Sequence, residues 1–116
     1  AGPVGVEAAL YARAAGCRVA VYDRGQVGEH LHRWGHARIF TPFGMNATPL
    51  GLQTLRHERR ARDIPGDADL LTGREFRDAY LAPLAESEQL LEAMHPQHAV
   101  LNVGRAGAVK KSEPDD

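Results

Sequence analysis

Two glycines three residues apart, Gly2 and Gly5, open a helix-forming run that stops at Gly16 and leads into Arg18-Val19-Ala20-Val21-Tyr22-Asp23. No other stretch restricts the fold as much. Pro3 sits in the first turn, where its missing N–H costs nothing, and Ala8, Ala9, Ala12, Ala14 and Ala15 are strong helix formers. The run predicts a helix from Pro3 to about Gly16, with Val6, Leu10 and Ala14 on one stripe and a small alanine face suited to close packing on a sheet. Val19 and Val21 then fall on one face of a short strand, Arg18 to Tyr22. A helix placed this way before a strand is half of a βαβ unit, so the expected fold class is α/β with a parallel sheet.

The acid at the end of that strand adds a chemical reading. Seventeen residues, Val6 to Tyr22, separate Gly5 from Asp23. That fits the rule that an Asp or Glu about twenty residues past a G-x-G-x-x-G turn receives a ribose hydroxyl of a dinucleotide. Gly2 and Gly5 stand as the second and third glycines of that fingerprint; the first would sit one place before Ala1, with its strand before that. Gly2 would let the backbone approach a pyrophosphate, and Gly5 would let helix and sheet pack closely. The helix N-terminus offers backbone N–H groups and a positive dipole end. The alternative is an ordinary βαβ turn whose glycines serve only packing.

Length bounds the chain to one domain, since 116 residues hold a modest core. A formal net charge of -1 gives no electrostatic case for nucleic acid or an anionic membrane surface. The one cysteine, Cys17, excludes an internal disulfide and reads as a buried small hydrophobe. No stretch approaches the roughly 20 apolar residues that span a bilayer, and no signal-peptide pattern opens the chain, so the expected location is cytoplasmic.

Beyond Asp23 a glycine- and proline-rich segment with little periodicity runs from Arg24 to about Leu71 and is the expected ligand-facing part. Within it Gly28 to Trp34 predicts a turn and a short helix, and Ala37 to Phe40 an extended piece. The arginine-dense run from Leu52 to Asp63 reads as a solvated face. Thr72-Gly73-Arg74-Glu75 has the form of a capping box. It opens a helix with Phe76, Tyr80, Leu81 and Leu84 on one face, which Pro83 is expected to kink or end. A helical run from Glu86 to Met94 and a third strand, Ala99 to Val103, follow. The last residues, 110–116, form a charged tail expected to be disordered.

Four stretches carry a resemblance. Ala1-Gly2-Pro3-Val4-Gly5 is similar to the GAGPxG form of FAD-binding glycine turns, and Tyr22-Asp23-Arg24 resembles the acid and following basic residue of the second strand. Gly28 with Glu29 to Trp34 is similar to the glycine-then-tryptophan turn over the flavin in monooxygenases. Thr72 to Phe76 with Tyr80-Leu81 is similar to the helix before the third strand. The chain thus resembles the N-terminal FAD-binding part of a flavin oxidoreductase with two dinucleotide-binding domains, nearest to the flavin-containing monooxygenase-like, pyridine-nucleotide-dependent branch. The resemblance implies a Rossmann-like parallel βαβ fold, incomplete at both ends, with residues 1–109 a partial FAD/NAD(P)-binding domain. It implies FAD as cofactor, NAD(P)H as co-substrate, a small-molecule substrate for the parent protein, and a fragment inactive alone. Asp23 replaces the more usual Glu, and later FAD-domain strands and an NAD(P)H-binding domain are absent. The segment Gly25 to Thr48 holds no CxxxxC pair, which argues against thiol–disulfide chemistry there.

The resemblance assigns cofactor contact to Ala1, Gly2, Pro3, Val4, Gly5, Asp23 and Arg24. Arg33 and Arg38 are candidates for a pyrophosphate by bidentate bonds, with plain surface arginines the alternative. Trp34 is a candidate to stack near the isoalloxazine, with core packing the alternative. His30, His32 and His36 match no strong metal spacing, so no metal is expected. No catalytic residue is legible. Two rivals stay open: a nonenzymatic remnant, and a plain NAD(P)-binding module.

Overall fold

A computed structural model describes residues 2–33, 35–58 and 64–101. The first helix, α1, covers Pro3–Ala14. Gly2 caps it in extended conformation, and Gly16, at φ 91°, ends it where a side chain would be strained. Its inward face is Val6, Ala9 and Leu10; Ala14, expected on that stripe, is exposed, because the helix is in its final turn there.

Strand β1 is Val21–Tyr22, shorter than the expected Arg18 to Tyr22, because its partner β2 is only Met94–His95. The two run parallel, Val21 opposite Met94 and Tyr22 opposite His95. The third strand therefore does not lie at Ala99 to Val103. Ala99, Val100 and Leu101 are exposed and unpaired in any sheet, whereas Met94 and Val21 pack on the core; Asn102 and Val103 lie outside the described residues. The expected helix from Glu86 to Met94 is instead a series of turns, with a single 3₁₀ turn at Leu91–Ala93. Described residues thus form a mixed helix and strand fold with a two-stranded parallel sheet. Among them no helix is long and apolar enough to cross a membrane.

Between the strands lie α2 (Glu29–Arg33), α3 (Phe43–Asn46) and α4 (Pro49–His57). The expected extended piece is present: Arg38 bridges Thr72 in antiparallel sense, and the Ile39 N–H donates to the Leu71 carbonyl at 2.8 Å. Thr48 caps α4 by accepting from the Gly51 N–H at 3.0 Å. Residues 59–63 of the arginine-dense run and the tail, residues 110–116, lie outside the described residues.

The capping box forms as read: Thr72 Oγ1 accepts from the Glu75 N–H at 3.1 Å, and Glu75 Oε1 from the Thr72 N–H at 2.8 Å. It opens α5 (Gly73–Phe76), which passes through a π turn, Arg77–Leu81, into α6 (Ala82–Ala85). Pro83 therefore does not end the helix. A proline ring collides with the carbonyl four residues back; that residue, Ala79, lies inside the π turn, where the wider spacing makes room. Phe76, Tyr80, Leu81 and Leu84 are buried with Phe43, Leu55, Val6 and Leu10 in one core. The Phe43 and Tyr80 rings meet edge to face at 5.5 Å.

Tyr80 also ends in a polar network inside that core. Its Oη donates to Glu7 Oε2 on α1 and accepts from the Thr48 N–H at 3.2 Å, while Thr48 Oγ1 donates to Glu7 Oε1 at 2.8 Å. Burial, reinforced by the bond to Glu7, pushes the Tyr80 phenol well above its ordinary range, so it stays a donor. Cys17, expected buried, is exposed, because the chain turns outward at Gly16 before reaching β1.

Candidate ligand cleft

The N-terminal turn of α1 and the loop that follows β1 face each other across a cleft of about 320 Å³. Gly2 and Pro3 form one wall; Asp23, Arg24, Gly25, Gln26, Gly28 and the α2 residues Glu29, His30, Leu31 and Arg33 form the other. Five residues expected at a cofactor, Gly2, Pro3, Asp23, Arg24 and Arg33, therefore line one space. Val4 and Gly5 do not. Val4 is 84% exposed, and a Cβ on Gly5 would meet nothing within 4 Å, so the close helix-to-sheet packing expected there is not made. The reason is the size of the sheet: neither short strand reaches over this turn of α1. Ala1 and Trp34 lie outside the described residues.

Asp23 is fixed by its backbone at the ends of the strands. Its N–H donates to the His95 carbonyl at 3.2 Å, and its carbonyl accepts from the His98 N–H at 2.6 Å. Its Oδ1 accepts from the Gly25 N–H at 2.9 Å, an Asx turn that sets the carboxylate against the cleft. Hydrogen bonding to the carboxylate, including the bond from the Gly25 N–H, holds it below its ordinary range, against the opposing effect of burial. It is thus an ionised hydrogen-bond acceptor at the cleft.

On the same wall Glu29 Oε2 pairs with Arg33 Nη2 at 3.1 Å, and Glu29 Oε1 accepts from the Gln26 N–H at 3.1 Å. Both members of the pair are substantially exposed, so it is worth no more than about 1 kcal/mol and is exchangeable. The formal charges of the lining, Asp23 and Glu29 against Arg24 and Arg33, balance. α1 also brings its first-turn N–H groups, which have no partner within the helix.

Arg38 is not in the cleft; its Nη1 donates to the Leu70 carbonyl oxygen. His30 lines the cleft, whereas His32 and His36 do not, and among the described residues no three His, Cys, Asp or Glu side chains come together as a metal would need. Sequence reasoning missed Gln26 and Glu29 as wall residues. The signal was a Glu three places after Gln26, the spacing by which a side chain returns to a backbone N–H.

Comparison with known proteins gives no match to any family model, curated protein or solved structure.

Proposed function

We propose that the cleft receives the adenosine diphosphate half of FAD, and that the chain is the FAD-binding portion of an NAD(P)H-dependent, monooxygenase-like flavoprotein oxidoreductase with a Rossmann-like fold. The observation that carries this reading is the meeting of the Gly2–Pro3 turn with the Asp23 carboxylate across one cleft. These two features are distant in sequence and have complementary uses. Asp23 would accept from the ribose hydroxyls. The Gly2 backbone and the first turn of α1 would face the pyrophosphate, and Arg33, exchanged from Glu29, would neutralise it. The lining fits the group: the Asp23 carboxylate for the ribose, two guanidinium groups, one of them paired with Glu29 until exchanged, and a glycine backbone that admits close approach.

When bound, the flavin supplies hydride transfer, and the chain supplies binding and orientation. Titration calorimetry of the 116-residue chain with FAD, ADP and NAD⁺ tests the reading. FAD and ADP should bind, and Asp23→Ala should weaken both by about 1.5–3 kcal/mol, as for a lost hydrogen bond to a charged group. Binding of NAD⁺ in preference to FAD would assign the cleft to a plain NAD-binding module. Binding of none of the three would sink the proposal.

A further inference from the structure

We propose that Arg77 is a positioning residue for the cleft, and that the π turn Arg77–Leu81 is the clamp joining its two walls. Arg77 does not line the cleft. Its Nε donates to the Val27 carbonyl at 2.9 Å, and its Nη1 pairs with Asp78 Oδ1 at 2.9 Å. Val27 lies between Gly25-Gln26 and α2, so this bond fixes the loop that carries most of the second wall. Gly28 shows how tightly the loop is seated. It has φ 66°, and a Cβ there would lie 2.8 Å from Arg77 Cγ and 3.1 Å from Leu81 Cδ2.

Three residues on, Tyr80 reaches α1, the helix that carries the other wall. Its hydroxyl holds Glu7, one helical turn after Pro3 on α1. One turn of helix therefore grips the loop through Arg77 and α1 through Tyr80. The π geometry matters here, because the extra residue in the turn alters where side chains project relative to a regular helix. The alternative is that Arg77 only adds stability to the fold. In that case its loss loosens every part alike.

Two readouts separate these, and the second rests on the dinucleotide reading while the first does not. In brief trypsin digestion of the native chain, cleavage after Arg24 and Arg33 is measured relative to cleavage after Arg56, which lies on α4 away from the loop. Arg77→Met keeps an unbranched stem against Gly28 and removes the donor. It should raise that ratio about tenfold and weaken ADP binding by about the same factor, the scale of one lost charge-assisted hydrogen bond. Arg77→Lys, which can still donate to the Val27 carbonyl, should restore most of both. Should Arg77→Met fail to fold, Gly28→Ala strains the same contact from the loop side and is expected to raise the same ratio.

An unchanged ratio overturns the proposal, as does ADP binding equal to wild type in Arg77→Met, or Arg77→Lys failing alongside it. A raised ratio in a chain that does not bind ADP at all upholds the clamp and removes the dinucleotide reading.

Discussion

Gly51 has no side chain because Tyr80 occupies the space: a Cβ there would lie 1.9 Å from the Tyr80 hydroxyl oxygen. That oxygen cannot swing aside without leaving Glu7 and Thr48. Gly51→Ala should therefore destabilise the chain by about 1–3 kcal/mol, the cost of overpacking, read as a lower midpoint in urea. Asp23 makes a prediction in acid. Its folded pKa is depressed, so the stability it contributes is present above the unfolded value of about 3.9 and is lost as pH falls through the folded one. Asp23→Asn should be less stable than wild type near neutrality, and the two urea midpoints should converge as pH falls below the ordinary carboxylate range. A gap that persists there would remove the carboxylate charge from the account. Tyr80 behaves oppositely in base. With its phenol pushed up, its hydrogen-bonded form persists as pH rises past the ordinary tyrosine range. An ultraviolet difference titration of wild type against Tyr80→Phe should show no phenolate from Tyr80 while the chain stays folded.

At the scale of elements, the Thr72 box starts the helix whose buried face, Phe76, Tyr80, Leu81 and Leu84, holds much of the core. Thr72→Ala should cost about 1 kcal/mol, measured by urea unfolding followed by circular dichroism. This element was legible in the sequence because its signals are local: a Thr and a Glu three apart, then apolar residues at helical spacing. The same holds for α1, bounded by Pro3 and Gly16. β2 was not legible. Ala99 to Val103 has the better strand composition, but Met94 and His95 pair with β1, and position opposite a partner is a tertiary fact that local propensity does not carry. The π turn was likewise hidden. Pro83 signals disturbance in a helix, and only the packing of Arg77 and Tyr80 shows that the disturbance is absorbed rather than ended.

For the molecule as a whole, the cleft was legible at Gly2, Asp23 and Arg33, and illegible at Gln26 and Glu29, which reach it through a turn with no periodic signature. A ligand that binds only the folded chain stabilises all of it. FAD at about a hundredfold above its dissociation constant should add roughly 2.7 kcal/mol to the unfolding free energy, and Asp23→Ala should reduce the accompanying thermal shift at equal FAD concentration. Absence of a shift in wild type would count against the cofactor. The pairing of Val21 with Met94, and the grip of Arg77 and Tyr80 on the first third of the chain, bear also on the order of assembly. Contacts so far apart in sequence close late, and a parallel pair requires the whole crossover to be made first. On a ribosome, α1 and the Asp23 loop would emerge early yet have nothing to brace them. The cleft would become competent only once the chain through His98 had been synthesised.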